Sequence, residues 1–106
     1  MRIATSTTHE VILEGAETFD VTAPAAFSGS IVTARISRIR IDRNSNESLS
    51  WRLFGYKVKR DGSESMVPFE YNPISDREGR EIWVAIPGEI RASLPHSVEF
   101  ARKYFG

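Results

Sequence analysis

Two stretches of alternating apolar and polar residues constrain the fold of this chain more than any other feature. The first, SIVTARISRIRIDR, covers residues 30–43, and the second, LSWRLFGYKVKR, covers residues 49–60. Isoleucine, valine and aromatic residues at alternate positions favour strands with one packed face and one solvated face. The short polar run at residues 44–48 predicts that these two strands pair as an antiparallel hairpin.

A third strand is predicted directly after the second. The dipeptide Asp61-Gly62 separates the second stretch from ESMVPFEY, and Asp-Gly favours a type I′ hairpin turn, which needs positive φ at both central positions. We therefore predict a bent three-stranded antiparallel meander over about residues 31–71. Because Pro68 has no N–H for a β-ladder, the third strand should lie at a sheet edge or be bulged there.

The rest of the chain predicts elements around this meander. HEVILEGAETFDV predicts an N-terminal hairpin that turns at residues 14–17, and SDREGRE predicts a solvated turn. The short apolar run IWVAI, residues 82–86, predicts a buried strand, and the segment after it predicts a C-terminal helix packed on the sheet. With 106 residues and no repeat or linker, the chain is expected to be a single domain, 1–106, of the mainly β (α+β) class.

The alternation contains two breaks in phase. In the first stretch the apolar phase of Ile36 differs from that of Ile39, which places a break at Ser37-Arg38. In the second stretch a similar break falls at Phe54-Gly55. A shift of one residue turns every later side chain to the other face, so each break predicts a bulge or bend. We expect the two breaks to lie at the same level of the hairpin, with Gly55 supplying backbone freedom.

A coordinated bend would gather the basic residues of this region on one outer face. Residues 35–60 carry eight basic and two acidic side chains, whereas the segments before and after them carry an acidic excess. Guanidinium groups suit bidentate contact with carboxylates or phosphates. The predicted partner-binding residues are Arg35, Arg38, Arg40, Arg52, Phe54, Lys57 and Lys59.

The leading interpretation of this face is a small non-enzymatic interaction module. The basic hairpin would dock an acidic macromolecular surface, either a protein partner or a second copy of the chain. The alternative is a nucleic-acid-binding protein that uses the same face, although the chain has zero net charge. The face could also be merely solvated, with the acidic ends of the chain folded back to neutralise it.

Catalytic and cofactor-binding patterns are missing from the sequence. It contains no cysteine, no P-loop, no H-E-x-x-H and no nucleophile elbow, and His9 and His96 are its only histidines. We therefore expect no enzymatic activity, no cofactor and no metal site. A third reading places a small-ligand or enzymatic pocket near Trp51, Trp83 and Tyr56, although such aromatic residues more often form a core.

The length of the apolar runs indicates where in the cell the protein is expected. No stretch approaches the roughly 20 apolar residues that a membrane helix needs. The first 15 residues have no apolar run of signal-peptide length. The sequence therefore predicts a cytoplasmic protein without a membrane partner.

Residues 86–94, IPGEIRASL, are similar to the I-P-x-E-I-R-x-x-L stretch of AbrB-type swapped-hairpin DNA-binding regulators. The resemblance implies a dimeric DNA-binding protein. In that family a Gly-Arg pair leads directly into the preceding strand, whereas Gly79-Arg80 stands three residues too early here. The Gly-Asp turn that usually follows the leucine is also missing. Because the similarity covers only this short stretch, it assigns no family to the chain.

Overall fold

The computed structural model describes residues 7–25, 29–44 and 46–106, which form a sheet followed by helices. The strands are β1 (Thr7–Ile12), β2 (Phe19–Pro24), β3 (Ile31–Arg43), β4 (Leu49–Val58) and β5 (Glu64–Tyr71). The helices are α1 (Asp76–Trp83), α2 (Gly88–Ser93) and α3 (Ser97–Phe105). The mainly β, α+β class predicted from the sequence is confirmed.

The long strand β3 organises an antiparallel sheet. One edge of β3 pairs with β4, and β5 pairs with the far edge of β4, which confirms the predicted meander. The other edge of β3 pairs with β1 along residues 38–43 and with β2 along residues 31–36. The predicted N-terminal hairpin is therefore wrong, because β1 and β2 lie end to end on β3 and pair with it, not with each other. Beyond β1, Leu13 still donates its N–H to the carbonyl of Ser37 at 2.8 Å, so the chain follows β3 and does not turn back.

A one-residue bulge in β3 lies where the sequence predicts it. The pairing of β3 with β4 shifts between Ile36 and Arg38, which leaves Ser37 as the extra residue. Ile36 and Ile39 are both completely buried. The bulge therefore allows one strand to keep apolar residues of two different phases in the same core.

The predicted second break, at Phe54-Gly55, is wrong. Strand β4 alternates without interruption through Trp51, Leu53 and Gly55, all of which are buried. Its irregularity lies further on, between Tyr56 and Val58, where it faces a bulged part of the edge strand β5. That position agrees with the edge or bulged strand expected from Pro68.

Gly55 is needed for a different reason from the one the sequence suggests. Its backbone does not adopt a positive φ. A Cβ built on Gly55 would lie 1.8 Å from the carbonyl oxygen of Arg35 and 3.0 Å from the Cα of Ile36. The backbones of β3 and β4 therefore approach each other at the bulge more closely than any side chain would allow.

The turn between β4 and β5 differs from the expected type I′. The N–H of Gly62 donates to the carbonyl of Lys59 at 3.0 Å, so Arg60 and Asp61 are the central residues, and neither has a positive φ. Gly62, which follows them, has a φ of 87°. The carboxylate of Asp61 accepts hydrogen bonds from the backbone N–H and the hydroxyl of Ser63, at 2.9 and 2.6 Å. These bonds stabilise the turn and lower the pKa of Asp61.

The solvated turn and the buried strand 82–86 that the sequence predicts are both wrong, because residues 76–83 form helix α1 and residues 84–86 turn after it. The hydroxyl of Ser75 caps its first turn by accepting a hydrogen bond from the N–H of Glu78 at 3.2 Å. Gly79 and Trp83, four residues apart, form the buried side of the helix, while Val84 is half exposed. The helical cap and spacing thus prevail over an apolar run of only five residues.

The C-terminal helix packs on the sheet, as predicted. The indole N–H of Trp51 on β4 donates to the hydroxyl of Tyr104 on α3 at 2.8 Å, within the core. Trp83 of α1 stacks on Phe100 of α3 with ring centroids 4.6 Å apart and meets the edge of Trp51 at 5.2 Å. We call the face of the sheet that carries Trp51 the inner face.

Replacing Gly55 with alanine is expected to destabilise the protein by at least about 2 kcal/mol, because the added methyl group would collide with the β3 backbone. The free energy of unfolding in urea measures this effect. Gly88→Ala is the matched control, since a Cβ there meets only the end of the Arg91 side chain, at 3.4 Å. This control should change the stability by less than about 0.5 kcal/mol. Equal stabilities of the two variants would contradict the close approach at the bulge.

Candidate interaction face

The face of the sheet opposite the helices, here called the outer face, carries most of the predicted binding residues. Three cross-strand pairs of β3 and β4 form its centre: Arg35 with Tyr56, Arg38 with Phe54, and Arg40 with Arg52. Directly opposed residues of an antiparallel pair project to the same side of the sheet. These six side chains therefore share one surface.

The structure places five of the seven predicted residues on this face and two elsewhere. Lys57 pairs with Ala34, so its side chain projects toward the inner side. Lys59 lies beyond the end of β4, in the turn to β5. Both placements follow from the uninterrupted alternation of β4, which gives Lys57 the phase of Gly55.

The arginines of the outer face are matched by carboxylates from neighbouring positions. The four ion pairs are Arg35 with Asp20 at 3.0 Å, Arg38 with Glu10 at 3.9 Å, Arg40 with Asp42 at 3.2 Å, and Arg52 with Glu70 at 3.3 Å. The hydrogen bond to Asp20 and its negative charge raise the pKa of Arg35. Four arginines and four carboxylates give this ion-pair set a formal charge of zero, so the outer face differs from the basic surface that the sequence suggests.

Arg38 is bound differently from the other three arginines. Its guanidinium lies over the ring of Phe54, 4.2 Å from the ring centroid. Glu10, at 3.9 Å, is too distant for a hydrogen bond. Within the described parts of the chain, the Arg38 side chain makes no hydrogen bond, whereas Arg35, Arg40 and Arg52 each donate to a carboxylate. The N–H donors of Arg38 are therefore available to a partner at the surface.

A shallow apolar groove of about 360 Å³ lies beside this stacked pair. Ile12, Phe54, Tyr56 and Pro68 line it, and Arg38 stands at its rim. Ile12 is 57% exposed and Tyr56 is 43% exposed, so both side chains are accessible at the surface. A phase break at Phe54-Gly55 would turn Tyr56 inward, whereas Tyr56 lies opposite Arg35 on the outer face.

Two parts of this site were missed from the sequence. The apolar wall residue Ile12 lies on β1, whose place beside β3 cannot be read from local spacing. Pro68 lies on β5, which the sequence places beside β4 without showing that Pro68 lies opposite Tyr56 on the outer face. The acids Glu10, Asp20 and Glu70 occupy polar positions of alternating strands, and this signal could have placed them on a solvated face. The sequence does not show that these three acids lie on the same side of the sheet as the arginines.

A second polar cluster joins α3 to the inner side of the sheet. Arg43 donates to the carboxylate of Glu99 and lies 3.3 Å from Nδ1 of His96. The bond from Arg43 lowers the pKa of Glu99. The rings of His9 and His96 meet edge to face at 5.8 Å. Across the described ranges, no three His, Asp or Glu side chains are grouped so that they could hold a metal ion.

The region of the third sequence-based alternative is part of the core. Trp51 and Trp83 are each 1% exposed and pack against one another. Tyr71, Phe100 and Tyr104 occupy the space around them. Burial raises the pKa of Tyr71 to about 12, so its hydroxyl is neutral near pH 7. Tyr56 does not belong to this cluster, because it lies on the outer face.

The segment similar to AbrB-type regulators has different surroundings here. Residues 86–94 form the turn after α1 and the short helix α2. The preceding residues 76–83 are helical, whereas the resemblance calls for a strand. Among the described residues, no helix combines the length and apolar character needed to cross a membrane.

Comparison with known proteins finds no family model, no curated protein and no solved structure that matches this chain. Its function must therefore be inferred from its own surface.

Removing three of the outer-face acids should create the basic surface that the intact chain lacks. The variant Glu10→Gln/Asp20→Asn/Glu70→Gln leaves Arg35, Arg38 and Arg52 unpaired, and we expect it to be retained on heparin with a steep salt dependence. The matched control, Glu14→Gln/Glu17→Gln/Glu89→Gln, has the same net charge but leaves the four ion pairs intact. Equal retention of the two variants, or strong retention of the unmodified chain, would contradict local charge cancellation.

Proposed function

We propose that this chain is a non-catalytic protein-interaction module that docks a partner protein on its outer face. The observation that carries the proposal is the Arg38–Phe54 stack at the rim of the groove. Helices pack on the opposite, inner face of the sheet and leave this groove open to a partner.

The residue types of the groove support a protein partner. Aromatic residues and arginine are enriched at the centres of protein interfaces, where they supply most of the binding energy. Phe54, Tyr56 and Arg38 provide both kinds of residue around one depression. The surrounding ion pairs are exposed, and such pairs contribute little to stability or affinity. We therefore assign most of the binding energy to the groove. The ion pairs form the polar border around it and contribute little.

The pairing of charges refines the acidic partner that the sequence suggests. Long-range attraction of an acidic macromolecule needs a surface with net positive charge. The four ion pairs cancel that charge, so recognition would be local and would depend on the side chains that meet Arg38 and the groove. Affinity for the partner should consequently depend only weakly on salt.

Binding of single-stranded nucleic acid is the second candidate, and one observation favours it. Phe54 and Tyr56 lie two residues apart on the same side of β4, and arginines flank both. Bases stack on aromatic residues arranged in this way on open sheets. The carboxylates of Glu10, Asp20, Asp42 and Glu70 weigh against it, because they would repel a phosphate backbone.

Affinity capture from the organism of origin tests the docking face. The purified chain and its variants Phe54→Ala and Tyr56→Ala serve as baits, and each captured protein is then purified and its affinity is measured directly. We expect each substitution to weaken a direct partner at least tenfold, a loss of about 1.4 kcal/mol. Unchanged thermal unfolding midpoints establish that the variants are folded.

The matched control is Met66→Ala, which removes a 94% exposed apolar side chain outside the groove. It should leave the affinity unchanged. A direct partner that binds Phe54→Ala and Tyr56→Ala as tightly as the unmodified chain would refute the proposal. Binding of single-stranded RNA or DNA that is lost in both variants would favour the second candidate.

A further inference from the structure

We infer that the partner presents a carboxylate side chain next to a large apolar side chain. The apolar side chain occupies the groove, and the carboxylate takes the unused donors of Arg38. This inference rests on the proposed docking function and specifies the chemistry that the outer face selects.

The first step concerns the state of Arg38. A guanidinium has five N–H donors in a planar fork that matches a carboxylate in a bidentate manner. The contact with the Phe54 ring, 4.2 Å from its centroid, restricts the position of the Arg38 guanidinium before any partner arrives. Of the four outer-face arginines that the structure describes, Arg38 is the one that donates no hydrogen bond to a carboxylate.

The second step concerns the groove. Its volume of about 360 Å³ lies at the small end of the range for ligand pockets, about 300–1,000 Å³. Its walls, formed by Ile12, Phe54, Tyr56 and Pro68, carry no charge, and Arg38 provides the charge at the rim. A single large apolar side chain with an acidic neighbour complements both the walls and the rim.

The distribution of charge argues against a second copy of the chain as the occupant. The arginines lie on the two middle strands, whereas Glu10, Asp20 and Glu70 lie on the flanking strands β1, β2 and β5. A two-fold axis through the groove would bring Arg38, which donates no hydrogen bond to a carboxylate, close to its own image. Like charges opposed across an interface are unfavourable. A partner of different sequence avoids this repulsion.

The neighbouring acids also favour a carboxylate over a phosphate. Glu10 lies 3.9 Å from Arg38, and Glu70 pairs directly with Phe54. A phosphate monoester carries about −1.5 to −2 charges near pH 7, so these two acids repel it more strongly than a singly charged carboxylate.

Selection from a random peptide library displayed on phage tests this inference with defined probes. The chain is immobilised, and selection is repeated on Arg38→Gln, Phe54→Ala and the control Arg52→Gln, which alters an arginine already bound to Glu70. We expect selected peptides to carry Asp or Glu within two positions of Leu, Ile, Met, Phe or Trp. Selection on Arg38→Gln should lose the acidic preference and keep the apolar one.

A double-mutant cycle with a selected synthetic peptide then measures the contact. Changing the acid of the peptide to its amide should weaken binding to the unmodified chain and to Arg52→Gln at least tenfold. The same change should have little effect on binding to Arg38→Gln. This pattern would support a direct contact between the carboxylate and Arg38.

The possible failures are distinguishable. Peptides with an apolar anchor but no acidic preference, bound equally by Arg38→Gln, would overturn this inference and leave the docking function intact. Peptides that bind Phe54→Ala as well as the unmodified chain would overturn both. A dimer in sedimentation experiments that Phe54→Ala abolishes would overturn the inference in favour of a second copy.

Discussion

The extra residue at Ser37 is the constraint on which the rest of this fold depends. A thirteen-residue strand with strict alternation would turn either Ile36 or Ile39 into solvent, yet both are fully buried. The bulge lets one strand serve a single core along its whole length and brings Arg35 and Arg38 to the same side of the sheet. At the same level the backbone of β3 approaches β4 so closely that Gly55 is required. The groove of the outer face is lined by both Ser37 and Gly55.

The helices cover the inner face of the sheet around Trp51, so the outer face is the one left for a partner. The aromatic cluster of Trp51, Trp83, Phe100 and Tyr104 fastens the helices to the sheet and includes a buried hydrogen bond between an indole and a phenol. Arg43 and Glu99 add a polar connection at the same end of the sheet. The large apolar side chains on the outer face are not used in this way. Ile12 and Tyr56 therefore remain available to a partner beside the bulge, near the middle of β3.

The meander could be predicted from the sequence because alternation and turn residues are local signals. The bulge at Ser37 was predictable for the same reason, since its two phases can be read along one strand. The placement of β1 and β2 end to end on β3 could not be read locally, because it depends on long-range pairing. Helix α1 was hidden because the run at residues 82–86 is short, although Ser75 with acidic residues in the first turn was a readable cap. Lys57 was misplaced because β4 was given a break that it does not have.

The charge pattern of the sequence suggested a function that the three-dimensional pairing revises. Arg35, Arg38, Arg40 and Arg52 lie together in space, but each has a carboxylate beside it, from Asp42 of the same strand for Arg40 and from a flanking strand for the other three. What distinguishes the outer face is therefore one arginine stacked on a phenylalanine beside an apolar groove. Amide chemical-shift mapping by NMR, with a peptide selected on the chain as the titrant, tests this account most directly. The account predicts that the largest changes cluster at Ile12, Arg38, Phe54 and Tyr56, and that the amides of α2 and α3 are nearly unaffected. Changes centred on α2 and α3, with the outer face unperturbed, would contradict it.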